Sequence, residues 1–186
     1  MGDFKMGNNT VLTQSGTAKP TFGSGAPTGT IIQTKTYSRD FTSNQVYSVS
    51  LNTEPTAIVL DSETVQVTGI TATQGNTLII QASVGAVYSG SDATYQTNFG
   101  FIVDGQSYTT HGSYGNENQW FMALRPMMVY TVPANFTNKT ISVAAHKQTS
   151  ASGTHLVEIR SYPTYSTGIG TSGKYNISMV IQEIAG

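Results

Sequence analysis

The chain has no cysteine, a single tryptophan and only three histidines in 186 residues. Without a thiol there is no disulfide framework, no thiolate nucleophile and no thiolate metal ligand. The histidines, His111, His146 and His155, have no ligand-like partner at i+2, i+3 or i+4, so no metal site is expected. Charge is scarce as well. There are 9 Lys+Arg and 10 Asp+Glu, together 10% of the residues, where an average soluble domain has about 25%. A net charge of −1 without basic clusters offers little counterion release, which argues against nucleic acid as the main partner. No apolar run approaches the ~20 residues needed to cross a bilayer. The opening MGDFKMGNNT lacks the apolar centre of a signal peptide, so neither a membrane partner nor secretion is expected.

Catalytic patterns are missing too. A glycosidase needs two held carboxylates, one of them tuned upward by burial. Asp61 and Glu63 have strand-like spacing but sit in the turn-like LDSET. Asp104 is used by its turn. No Gly-x-Ser-x-Gly elbow occurs. GSGAPTG lacks the Lys-Ser/Thr that ends a phosphate-binding loop, and no helical pattern follows it. No catalytic residue and no cofactor is assigned, and the expected function is not enzymatic.

What the chain does have is β pattern. No window shows the i, i+3, i+4, i+7 spacing of an amphipathic helix. In LIIQASVGAVY, Leu78, Ile80, Ala82 and Val84 fall on one face at period two. Phe99, Phe101 and Val103 do the same, ahead of Asp104-Gly105, a strong hairpin signal. Gln74-Gly75-Asn76 reads as a turn. Trp120, Met122 and Leu124 alternate up to Pro126, and Ile141, Val143 and Ala145 alternate in TISVAAHK. Eight to ten strands with turns at this spacing predict an all-β, antiparallel sandwich or barrel over residues 31–186. The closing YNISMVIQEI has Tyr175, Ile177, Met179 and Ile181 on one side, and Val180 and Ile184 on the other. Apolar residues on both faces fit a central strand, or one whose second face meets another subunit.

Residues 1–30 differ. MGDFKMGNN and SGTAKPTFGSGAPTG are dominated by Gly, Ser, Thr, Asn and Pro. They cannot bury enough apolar area to offset the entropy of ordering, so they predict an extended arm with no fold of its own. Pro20 and Pro27 favour extended backbone. Val11, Leu12, Phe22 and Ile31 are spaced to dock into shallow grooves of a partner or to add a strand to its sheet. A third feature is YTTHGSYGNENQW. Tyr108, His111 and Tyr114 lie among Gly, Ser and Asn, a composition suited to recognition of carbohydrate or protein as well as to plain surface.

The stretch NNTVLTQSGTAKPTFGSGAPTGTIIQ resembles the segments that precede the globular heads of phage fibre and decoration proteins. VTGITATQGNTLIIQAS, TISVAAHKQTSASGTHLVE and YNISMVIQEI resemble a small jelly roll of the tumour-necrosis-factor-like kind, as in phage fibre knobs and capsid head fibres. The resemblance implies a homotrimer around a threefold axis, with Tyr175, Ile177, Met179 and Ile181 between copies. It implies a virion protein assembled in the host cytoplasm, and a capsid decoration (cement) protein or head fibre held to the major capsid protein by its arm. The alternative it leaves is a trimeric tail-fibre knob that recognises a host surface glycan.

Overall fold

The computed structural model describes residues 2–6, 9–14, 21–22, 26–41, 45–49, 55–60, 62–84, 86–90, 95–115, 121–123, 125–148, 155–160 and 175–186. These residues hold strands and turns and no helix. The strands in chain order are β1 (Gly2–Met6), β2 (Asn9–Gln14), β3 (Thr21–Phe22), β4 (Ile31–Phe41), β5 (Gln45–Val49), β6 (Thr56–Ala57), β7 (Val59–Leu60), β8 (Glu63–Thr64) and β9 (Gln66–Ala72). They continue with β10 (Thr77–Ser83), β11 (Ala86–Gly90), β12 (Tyr95–Val103), β13 (Gln106–Gly115), β14 (Phe121–Ala123), β15 (Met127–Thr131), β16 (Phe136–Gln148), β17 (His155–Arg160) and β18 (Tyr175–Ile184).

One sheet has the order β15-β10-β18-β4, and the second has β13-β12-β16, with β9 and β6 sharing the far side of β16. Every pairing is antiparallel. The chain crosses repeatedly between the two sheets: β4, β10, β15 and β18 lie in the first, and β9, β12, β13 and β16 in the second. That path is a jelly roll.

The period-two residues form the core between the sheets. Leu78, Ile80, Ala82 and Val84, then Phe99, Phe101 and Val103, then Ile141, Val143 and Ala145 all belong to one buried cluster. Full burial of one large apolar side chain contributes roughly 1.5–3 kcal/mol relative to exposure. The rule breaks on β9, where Val67, Ile70 and Ala72 are buried. The register with β16 shifts twice there, between Phe136 and Lys139 and between Lys139 and Ile141, where Asn138 (φ 52°) and Gly69 (φ 69°) are left-handed and unpaired in the ladder. Both turns expected from the sequence are present. Asp104 (φ 50°) and Gly105 (φ 80°) are both left-handed, as a type I′ hairpin requires, and Gly75 (φ 88°) turns the chain between β9 and β10.

There are more strands than expected because long strands are interrupted. The ladder β14-β11-β17-β5 has the same order as β15-β10-β18-β4, each member adjacent in sequence to its counterpart. The two ladders are separate sheets. A smaller interruption lies between β6 and β9. Val65 donates its N–H to the Ile58 carbonyl at 2.9 Å, closing a loop from which the hairpin β7–β8 projects. Arg39 of β4 holds that hairpin, at 2.7 Å from Glu63 Oε2 and 3.3 Å from the Leu60 carbonyl. At the other side of the sandwich Tyr130 contacts Tyr108 edge-on (5.7 Å between centroids) and lies 6.0 Å from Phe136.

Within the expected arm of residues 1–30, three short segments are paired. β1, β2 and β3 form an antiparallel sheet of their own. Local pairing satisfies backbone groups that composition alone would leave to solvent.

Candidate docking surfaces

The register of the small sheet explains the wide spacing of its apolar residues. Phe4 pairs with Leu12, and Leu12 pairs with Phe22. The three align in one backbone row of the ladder, and the side chain of Phe4 lies outside the described residues. Val11 is the extra residue at the bulge between Phe4 and Lys5. The side chains of Val11 and Phe22 and the whole of Pro20 lie outside the described residues. Pro27 is exposed, and its carbonyl accepts the Thr30 N–H at 3.0 Å in the turn that leads into β4.

That turn is fixed at one pole of the sandwich. Gly29 donates to the Ala185 carbonyl, and Ala185 donates back to Thr30, both at 2.9 Å. Beside it lie the β9–β10 turn and the β15–β16 turn, joined by Gly75 N–H to Val132 O (3.0 Å) and Val132 N–H to Asn76 O (2.9 Å). The carboxylate of Glu183, 3% exposed, sits among them. It accepts from Thr73 N–H (3.0 Å), Asn76 Nδ2 (2.6 Å) and Gln33 Nε2 (2.6 Å). Sequence reasoning missed this residue, although the signal was there. Glu183 continues the period-two series Ile177, Met179, Ile181, which places it on the inward face.

Three of the residues expected between copies lie in this chain's own core. Ile177, Met179 and Ile181 are 0%, 0% and 2% exposed within this single chain and belong to its core. They face the second sheet and offer nothing to another copy. The side chain of Tyr175 lies outside the described residues. The opposite face of β18 lies on the outside of its sheet. Cross-strand pairing aligns three rows there: Thr131–Thr77–Ile184–Ile31, Val129–Ile79–Gln182–Thr34 and Met127–Gln81–Val180–Thr36. No side chain in these rows is charged. Val129 (64%), Met127 (57%) and Ile31 (47%) are three of the four exposed large hydrophobics among the described residues.

The expected recognition loop is not a loop. Tyr108, His111 and Tyr114 all lie on β13. Tyr108 is half-buried against the core, and its hydroxyl donates to Gln106 Oε1 at 3.0 Å. The side chains of His111 and Tyr114 lie outside the described residues. Glu63 is paired with Arg39, while Asp61 lies outside. Among the described residues no group of three or more His, Asp or Glu could hold a metal, and no helix is long and apolar enough to cross a membrane.

No family model and no curated protein matches the chain. Solved structures similar to it include the infectious bursal disease virus Gx strain, at 9% identity and a TM-score of 0.35, with 100% of this chain and 50% of that chain covered. They also include a VP2 subviral particle of that virus (9%, TM-score 0.30, 94% and 43% covered) and its Gt strain (9%, TM-score 0.31, 98% and 44% covered). The chain thus spans half or less of the length of these viral chains. A likeness at these TM-scores carries no argument about function.

Proposed function

We propose that this protein is a non-enzymatic structural component of a virion, a capsid decoration or head-fibre protein attached through its N-terminal segment. The observation that carries the reading is the separation of two units. A three-stranded sheet whose register aligns Phe4, Leu12 and Phe22 precedes a jelly roll and, among the described residues, pairs only within itself. A sheet so small needs cover to be stable, and a shell subunit is the cover proposed. The connection enters the jelly roll at the pole of Thr28–Thr30. The first sheet then runs along β10 from Thr77 to Ser83, about 23 Å at ~3.3 Å per residue. The far pole would project from the shell surface.

Copies of the chain associate, in this reading, through the uncharged outer face of β15-β10-β18-β4. Four strands and three to four rows make a footprint of roughly 400–500 Å². That is short of the ~800 Å² per partner of a standard interface, so each contact of this kind is weak by itself. With several anchors per assembly, each docking after the first is effectively intramolecular, so weak contacts sum to firm attachment.

The test is co-sedimentation with undecorated shells. The full chain is compared with one lacking residues 1–25, a cut that leaves the Pro27–Thr30 turn and its bonds to Ala185 in place. Loss of binding by a shortened chain that stays folded supports the reading. Equal binding by both proteins refutes anchoring through this segment.

A further inference from the structure

We infer that Glu183 is the hub of a mechanical clamp, which passes tension from the N-terminal segment into both sheets instead of letting it peel β4 away. The inference rests on the reading that this segment is an anchor.

The need for a clamp follows from the topology. The segment joins the jelly roll at Ile31, the first residue of β4. β4 is the last strand of its sheet, bonded along one side to β18. Tension applied to the end of an edge strand loads its ladder bonds one after another. Each contributes only about 0.5–1.5 kcal/mol net, so such a strand would open at low force.

The hydrogen bonds ahead of β4 prevent this. Gly29 and Thr30 exchange backbone bonds with Ala185, and Thr28 Oγ1 donates to the Gly186 carbonyl at 3.4 Å. The chain end is tied in its turn, because Gly186 N–H donates to Asn76 Oδ1 at 3.1 Å. Asn76 Nδ2 donates to Glu183 Oε1 at 2.6 Å, and Thr73 N–H donates to the same oxygen at 3.0 Å. Glu183 Oε2 accepts from Gln33 Nε2 at 2.6 Å, and Gln33 also donates to the Thr71 carbonyl. The anchor root, the chain end, the β9–β10 turn and β4 thus close a ring through one carboxylate. The β9–β10 turn joins one strand of each sheet. It is bonded to the β15–β16 turn, which does the same.

Two details fit a clamp better than a passive pole. The donors to Glu183 are all neutral, and placing a carboxylate among them is a costly way to fill buried space. What it supplies is short, charge-assisted bonds to three segments at once. The chain end also fits so closely that a Cβ on Gly186 would lie 2.3 Å from the Gly75 carbonyl oxygen.

The experiment is single-molecule pulling on the full chain between two introduced thiols, Lys5→Cys and Thr109→Cys. Both positions are exposed, and the chain has no cysteine of its own. The uncovered small sheet β1–β3 opens at low force in every variant, and the expected result for the jelly roll of the parent protein is one rupture. In Asn76→Ala and Glu183→Ala an earlier event appears at lower force, lengthening the chain by about 37 Å for the 11 residues of β4 at ~3.4 Å each. Ile80→Val, which loosens the core away from the ring, shows no such event. An unchanged rupture pattern in both ring variants overturns the clamp, as does early loss of β4 in the parent.

Should the ring variants fail to fold, hydrogen exchange in the parent decides. The amides of Gly29, Ala185 and Gly186 should exchange as slowly as that of Ile80, and exchange at the rate of a local opening overturns the inference. No shell is present in either measurement. A failed clamp is therefore told apart from a failed anchor, which the co-sedimentation reads.

Discussion

Asn76 and Glu183 are 107 positions apart in sequence, and the side-chain amide of the first donates to the carboxylate of the second across 2.6 Å. Both are buried, so the Asn76 amide depends on this carboxylate for an acceptor. Replacing Glu183 by Ala leaves the Asn76 amide and the Thr73 N–H without their acceptor. An unsatisfied buried polar group costs about 1–3 kcal/mol, so Glu183→Ala should lower unfolding stability by roughly 3 kcal/mol or more. The measurement is the midpoint of urea unfolding at constant slope. A loss below about 1 kcal/mol would mean that water reaches these groups freely.

Gly100 and Gly105 make a second, contrasting pair. A Cβ on Gly100 would sit 1.7 Å from the Tyr108 carbonyl oxygen, a backbone atom that cannot swing aside. A Cβ on Gly105 meets nothing within 4 Å, but the residue has φ +80°. Gly105→Ala should therefore cost only the left-handed conformation, about 1–2 kcal/mol. Gly100→Ala must push β12 and β13 apart and should cost more, on the order of 3 kcal/mol. Thermal unfolding of the two variants side by side checks the order.

Much of this fold was legible because its core obeys period two. Leu78 to Val84, Phe99 to Val103 and Ile141 to Ala145 could be assigned to one face from sequence, and they line the core. Asp104-Gly105 and Gly75 marked their turns because left-handed backbone favours few residue types. What was not legible depends on contacts between distant segments. The sequence could not choose which apolar face of β18 looks inward, since both carry aliphatic side chains. The second sheet lies over Ile177, Met179 and Ile181, and Val180 remains on the other side. Phe4, Leu12 and Phe22 look scattered in sequence and are aligned only by strand register. Tyr108 read as part of a loop because its Gly/Ser/Asn surroundings mimic one, yet β12 recruits that segment as a strand.

Tyr37 carries a pH prediction. Its hydroxyl oxygen is buried without a hydrogen-bond partner among the described residues. Burial raises its pKa above the ordinary 10.0, and the nearby charge of Glu63 raises it further, against a smaller opposing effect of Arg39. A pKa raised on folding favours the protonated phenol in the native state. The resulting stability is complete below about pH 10 and is lost as pH rises through the native value. Tyr37→Phe should flatten the alkaline limb of the stability curve and leave the curve near pH 7 almost unchanged. Tyr130, raised mainly by burial, keeps part of the limb. Denaturant midpoints between pH 8 and pH 11 test the difference, and an identical limb in Tyr37→Phe would refute it.

Self-association gives two variants opposite expectations. Ile177 lies in the core, and Ile177→Ala should cost about 2–5 kcal/mol of stability without changing the state of association of the protein that still folds. Val129 lies on the outer face at 64% exposure, so Val129→Asp removes no core contact and should leave the monomer's thermal unfolding within about 0.5 kcal/mol. If copies meet on this face, a buried aspartate in each would have no cation opposite it, since the aligned rows hold none. An unpaired buried charge is far costlier than the lost valine contact, so Val129→Asp should shift the protein to monomer. Met127→Asp, in the adjacent row, should act in the same way. Light scattering coupled to size exclusion, run over a range of concentrations, reads the outcome. An oligomer that survives both outer-face variants would place the subunit contact elsewhere. A parent protein that is monomeric at every concentration would remove self-association from the proposed function.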